Sequence, residues 1–508
     1  MPSLRQAFAS LILGLTAAAA AAMEPEAPPM AGTAEAARAA ALQELDAMRA
    51  ILLDGHPGAI DAQNPGYRAK IESGYQAALA RVKDVQNQHD AMSVADAYAV
   101  GFRDGHLVRH NNVNTGDTTV SNGWVVARAE GGDGRIRVAH VASDWPVVLP
   151  PVGAEMVACD GRSPQRIVAE DVDPFVPELF GIRRESMVLA KLSNPAMQSL
   201  QLKSCTFRLS DGTTTAFPQH YQHMEFAAAR ALLAGVVVMK PASRINDMQS
   251  LPDGTLWVRV GNFMPNAKDA QQIEALLEQL KTAPPARRIV FDTRSNGGGD
   301  SRIGERIFEA ATGGLDYDRA GLEALPQKQA WWRASPTTIL ALDWLAADVR
   351  RRLGEDDPTL RRVLERQESL RAALGRGEAW VLQEGGVPRL TPEELVRRHA
   401  HLQRFAGSVV LLTDSDCGSA CLDFADLVRQ VPGSLHVGET TYFDSVYIDV
   451  GAVKLPSGNS MWLPLKVWRN RLRGNDEPWV PQVPIAVTER DDAQVRAAVL
   501  AAAEKAGR

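Results

Sequence analysis

The stretch Ser408-Val409-Val410-Leu411-Leu412-Thr413-Asp414-Ser415-Asp416-Cys417-Gly418-Ser419-Ala420-Cys421-Leu422-Asp423-Phe424-Ala425 constrains the fold more than any other. It opens on an unbroken apolar run, the pattern of a strand buried on both faces of a sheet. A polar turn follows, and Phe424, Leu427 and Val428 then repeat at helical spacing until Pro432-Gly433 stops them. Ser419 therefore falls where a strand turns into a helix, between the small residues Gly418 and Ala420. A hydroxyl placed there has an open approach, and the helix N-terminus behind it favours developing negative charge. The plainer alternative is that Ser419 only N-caps the helix.

A chain of 508 residues has room for two or three domains. A net charge of -6 with mixed signs leaves no basic footprint and argues against a nucleic-acid partner. At the N-terminus, Arg5, the apolar Phe8 to Leu15 and an alanine run ending at Ala22 form the pattern of a secretory signal over 1–22. The expectation is a periplasmic or secreted protein, with no later segment long enough to span a membrane. An oxidising compartment permits disulfides. Cys159 and Cys205 share one β-rich region, and Cys417 and Cys421 bracket Ser419. Four cysteines allow three connectivities, and the sequence leaves the choice open. No local His or Cys completes a metal site around Cys417 and Cys421, so neither metal nor organic cofactor is expected.

Leu42, Leu45, Met48 and Leu52 mark a first amphipathic helix, Ile71, Tyr75, Leu79 and Val82 a second, and Val94, Tyr98 and Phe102 a third. The third runs into Asp104-Gly105-His106, where Gly105 breaks the helix. A lone histidine such as His106 is more often a surface or satisfied core residue than a catalytic one. About Thr118 to Phe226 the pattern is of short strands with few helical repeats. Thr255–Val260 reads as a strand, Ile273, Leu276, Leu277 and Leu280 as a helix, and Ile289-Val290-Phe291 as another strand. That strand runs into Asp292-Thr293-Arg294-Ser295-Asn296-Gly297-Gly298-Gly299-Asp300, and a helix follows over about 302–311, so this half is α/β with parallel pairing. The glycine loop lacks the lysine of a phosphate loop and the spacing of a dinucleotide site. Consecutive glycines do let backbone N–H groups approach a reacting atom, as an oxyanion hole requires. The Arg-, Glu- and Leu-rich segment 315–405 reads as a mostly helical insertion.

Together these motifs resemble the C-terminal processing, or tail-specific, serine peptidases and their tricorn-like relatives. The resemblance rests on Asp104-Gly105-His106, the PDZ-like Pro151 to Gly161 stretch and the Asp292 to Gly299 loop. Ser419-Ala420, Gly438-Glu439-Thr440-Thr441 and the Glu477-Pro478 turn complete it. It implies a mixed α/β and β multidomain protein: a helical module over 23–110, a PDZ-like domain over 111–235, and a ClpP/crotonase-like α/β core over 236–508 carrying the 315–405 insertion. The branch with a serine–lysine dyad places its lysine where this chain has Asp444, and Lys454 and Lys466 are poor substitutes. The resemblance to the tricorn-like branch implies Ser419 as nucleophile, His106 as base and Glu477 as orienter, with Ala420 and either Gly297 or Gly298 as oxyanion donors. The expected activity is cleavage of peptide bonds in unfolded or C-terminal segments. A catalytically dead peptide-binding scaffold and an exported esterase are the alternatives, and the oligomeric state stays open.

Overall fold

The computed structural model of the chain describes residues 32–112, 118–128, 135–177, 181–234, 236, 242–313, 329–383, 405, 407–471 and 473–508. The signal expected over 1–22 and much of the 315–405 insertion lie outside them. Three helices come first: α1 (Ala34–Gly55), α2 (Gly66–Val82) and α3 (Gln88–Val100). Thr33 caps α1 by accepting from the Ala36 N–H at 3.2 Å, and Asn87 caps α3 by accepting from the Asp90 N–H at 2.9 Å. Leu45, Met48 and Leu52 lie one helical turn apart and are fully buried against Ile71 and Val94. Burying each contributes roughly 1.5–3 kcal/mol.

The chain then enters β1 (Val108–His110) and a β-rich region of β2 (Thr118–Ser121), β3 (Trp124–Arg128), β4 (Ile136–Val141), β5 (Glu155–Cys159), α4 (Gly181–Ser193), β6 (Ser204–Arg208), β7 (Thr214–Pro218) and β8 (Gln222–Glu225). Strands β3 to β7 form an antiparallel sheet in sequence order, and β2 pairs with β8 apart from it. Cys159 and Cys205 face each other across β5 and β6 and form a disulfide. Helix α4 was not expected in this region. Among its described side chains, Leu189 and Leu192 are buried and Met187 and Val188 pack against them, within a region whose sequence pattern is dominated by short strands.

The second half of the chain begins with β9 (Asn246–Ser250), β10 (Thr255–Val260), α5 (Ala267–Thr282), β11 (Arg288–Asp292) and α6 (Ser301–Thr312). It continues with β12 (Gln329–Arg333), α7 (Pro336–Leu353), α8 (Pro358–Gly375), β13 (Trp380–Leu382), β14 (Ser408–Thr413) and α9 (Ala420–Arg429). It closes with β15 (Leu435–Gly438), β16 (Tyr447–Lys454), β17 (Ser460–Arg469), β18 (Val483–Pro484) and α10 (Asp492–Lys505). A six-stranded sheet runs in the order β18-β15-β14-β11-β10-β9, parallel except for β9. Helices α5, α6 and α9 cover one face and α10 the other, so β10 and β11 are buried along their whole length. That is why these strands read as continuous apolar runs rather than alternating ones.

A second sheet has the order β1-β17-β12-β13, with β16 also on β17. The described part of the insertion is therefore not only helical. Trp331 and Trp332 sit on β12, which pairs with β17, the strand that also holds β1. None of the described helices is long and apolar enough to cross a membrane.

Candidate active site

Strand β14 lies in the middle of the parallel sheet, between β11 and β15. At its end the Asp414 carboxylate accepts from the Ser295 N–H at 2.8 Å and from the Asp416 N–H at 3.0 Å, tying this turn to the glycine loop. The Cys417–Cys421 disulfide then encloses Gly418, Ser419 and Ala420. Ser419 has φ 53° and ψ -124°, in the left-handed half of backbone space. Such a conformation costs an L-residue of order 1–3 kcal/mol and has to be imposed by its surroundings. The Ser419 carbonyl accepts from the Leu422 N–H at 2.8 Å, but its hydroxyl makes no capping bond to α9. The capping role is thereby excluded. The hydroxyl instead lies 3.3 Å from Nε2 of His106.

His106 reaches Ser419 from the far end of the helical module. The Asp104 carboxylate accepts from the His106 backbone N–H at 2.8 Å, which turns the chain sharply after α3. The ring nitrogen Nδ1 faces the same carboxylate oxygen at 3.6 Å, and the other oxygen accepts from the Ser445 hydroxyl at 2.6 Å. Burial pulls the imidazole pKa down, but Asp104, with Asp444 and Asp449 behind it, more than offsets this and leaves it raised. Burial pushes the Asp104 carboxyl up, and its bonds from His106 and Ser445 bring the net shift below the usual carboxylate value. Tyr442 spaces the two loops. A Cβ on Gly105 would lie 2.8 Å from its ring, and one on Gly418 would lie 3.5 Å away.

The oxyanion donors expected from sequence divide. Ala420 is the first residue of α9, so its N–H has no partner within the helix, and it makes no hydrogen bond among the described residues. The Gly297 N–H is likewise unpaired among the described residues. The Gly298 N–H is not available: it donates to the Asn296 side-chain oxygen at 2.9 Å. Gly298 matters for another reason. With φ at 99°, a Cβ there would meet Ser419 Cβ and the Gly418 carbonyl oxygen at 2.7 Å and the Ala420 nitrogen at 2.9 Å. Only glycine lets this loop pack against the serine turn.

Glu477 is not brought to His106. It lies exposed on its turn, where its carboxylate accepts from the Gly474 N–H at 2.9 Å, and no hydrogen bond joins it to the imidazole. Sequence reasoning missed Asp104 and Ser445. The signal for Asp104 was present in the two-residue spacing of Asp104-Gly105-His106, which suits an Asp side chain bonding the backbone two residues on.

No family model and no curated protein matches the chain. Solved structures do. Mature CPAF, in a complex with lactacystin, is 14% identical, with 92% of this chain and 99% of that one aligned at a TM-score of 0.50. The photosystem II D1 C-terminal processing protease is 13% identical over 89% of this chain and 98% of that one, at a TM-score of 0.30. The tricorn protease is 12% identical over 93% of this chain and 37% of that one, at 0.38. The alignment with CPAF runs almost end to end in both chains. This chain therefore shares a mixed α/β multidomain fold with that protein.

Proposed function

We propose that the protein is an exported serine peptidase that cleaves peptide bonds in unfolded or C-terminal polypeptide segments. The observation that carries this reading is the 3.3 Å approach of His106 Nε2 to the Ser419 hydroxyl on a strained strand-to-helix turn. Serine is a weak nucleophile until a base takes its proton during attack. His106 takes that proton as the Ser419 oxygen bonds to the scissile carbonyl carbon, and returns it to the departing amine. The Ala420 and Gly297 N–H groups receive the negative charge on the carbonyl oxygen. The antiparallel sheet β3 to β7 with α4, read from sequence as PDZ-like, presents the substrate tail. Export is supported by the pattern over 1–22 and by disulfides formed by all four cysteines.

Fluorophosphonate labelling of the purified protein, with the modified peptide identified by mass, tests the reading. Labelling on Ser419 that disappears in Ser419→Ala and in His106→Ala supports it. An unlabelled wild-type protein that still binds tail peptides would establish the scaffold in its place.

A further inference from the structure

A histidine acting as a base needs its other ring nitrogen fixed, so that Nδ1 carries the proton and the Nε2 lone pair faces the nucleophile. The His106 Nδ1 atom is buried and has no hydrogen-bond partner closer than the Asp104 carboxylate at 3.6 Å. A buried N–H left unmet costs about 1–3 kcal/mol, so the ring gains by closing on an acceptor. Catalytic hydrogen bonds are often long without substrate and tighten when it binds.

Asp104 is placed to be that acceptor. Its side chain is 2% exposed against 15% for His106, so the pair is shielded from water. Ser445 fixes the carboxylate from behind, and the Tyr447 N–H holds Ser445 in turn at 3.1 Å. The other charged groups on the neighbouring segments are committed elsewhere. Asp444 is bound by Arg471 and Arg473, and Asp449 by Lys466. Asp476 hydrogen-bonds to Asn475 at 2.5 Å, and Lys70 donates to the Phe102 carbonyl at 2.7 Å. Glu477 is held by Gly474.

We propose that Asp104, held by Ser445, is the carboxylate that orients His106, in the place the sequence had given to Glu477. Asp104 and Ser445 are positioning residues that act through His106. The inference rests on the reading of Ser419 and His106 as nucleophile and base, and its test separates the two.

The experiment compares Asp104→Asn, Ser445→Ala and Glu477→Gln in two measurements. One is the His106 pKa by NMR of histidine-labelled protein in a Ser419→Ala background, which needs no activity. The other is the pH dependence of fluorophosphonate labelling with Ser419 intact. Asp104→Asn is expected to lower the His106 pKa, shift the acid limb of labelling to lower pH and cut the maximal rate about 10⁴-fold, the scale of a lost orienting carboxylate. Ser445→Ala leaves the charge but frees the carboxylate, and is expected to cost roughly tenfold. Glu477→Gln is expected to leave both measurements unchanged. A His106 pKa and labelling rate that respond to Glu477→Gln and not to Asp104→Asn would overturn the proposal. If Asp104→Asn does not fold, an unchanged rate in Ser445→Ala overturns it as well. A His106 pKa that follows Asp104 in a protein that never labels would sink the peptidase reading and leave the Asp104–His106 pairing standing.

Discussion

Asp444 accepts from the Arg473 guanidinium at 2.6 Å, with both side chains almost fully buried. Arg471 donates to the same oxygen at 2.6 Å. The position to which the sequence resemblance assigns the lysine of a serine–lysine dyad is thus the anionic centre of a buried Arg–Asp–Arg group. A lysine there would face two guanidinium charges and leave both without the carboxylate that holds them.

Asp444→Lys is therefore expected to destabilise the protein by about 3–5 kcal/mol, the scale of leaving buried charges without their partner. It is not expected to restore labelling to a His106→Ala protein. Urea unfolding and labelling of the double variant measure both, and rescued labelling would refute the assignment of His106 as base.

Gly298→Ala tests the contact between the glycine loop and the serine turn. The added methyl would collide with Ser419 Cβ and the Gly418 carbonyl, and the residue would have to hold φ at 99°. Displacing the turn is expected to cost labelling about 100- to 1000-fold, the range for losing one oxyanion donor. An unchanged labelling rate would mean that the loop does not set the position of Ser419.

The two disulfides are expected to separate stability from activity. Cys159–Cys205 closes a loop with a sequence separation of 46, Cys417–Cys421 one of only 4. Loop-closure entropy assigns them roughly 4 and 2 kcal/mol respectively. Replacing Cys159 and Cys205 by serine should lower the denaturation midpoint more. Replacing Cys417 and Cys421 should slow labelling of Ser419 more, because that bridge encloses the strained residue. The opposite ranking of labelling rates would show that the local bridge has no part in holding the turn.

His56 gives a pH prediction distant from catalysis. It is fully buried, its Nδ1 accepts from the Gly58 N–H at 3.0 Å, and its Nε2–H then donates to the Tyr67 hydroxyl oxygen at 3.0 Å. Burial holds its pKa down to about 3. Burial and the nearby Arg429 do the same for His436, also to about 3. The folded-state pKa values are depressed, so below pH 6.5 the unfolded chain binds protons that the folded one refuses. Stability should fall with acid between pH 6.5 and about 3, by roughly 1.4 kcal/mol per pH unit for each group. His56→Gln should be less stable at pH 7 but show a shallower slope, read by urea titrations across that range. An equal slope in the variant would remove His56 from this account.

The parallel sheet and the three leading helices were legible because burial writes itself into sequence as period. Strands covered on both faces read as apolar runs, and Leu45, Met48 and Leu52 read as a stripe. Ser419 was legible for the same reason, at the junction of two such patterns. What escaped lies where polar bonds decide. Helix α4 lies among short strands whose pattern dominates that part of the sequence. The Gly298 N–H is occupied by the side chain of its own loop, which no glycine count reveals. Glu477 was chosen from the order of motifs, whereas the carboxylate beside His106 stands two residues away from it and is selected by a backbone turn.

The hydroxyl of Ser419 and the imidazole that reaches it are 313 residues apart along the chain. His106 arrives on a segment that continues directly into β1, whose partner β17 follows Ser419 in the chain. Under the proposed chemistry, a nascent or half-folded chain therefore has no cutting activity. Competence appears only when the helical module is clasped by a strand synthesised after Ser419, which makes hydrolysis itself a signal that this closure has taken place.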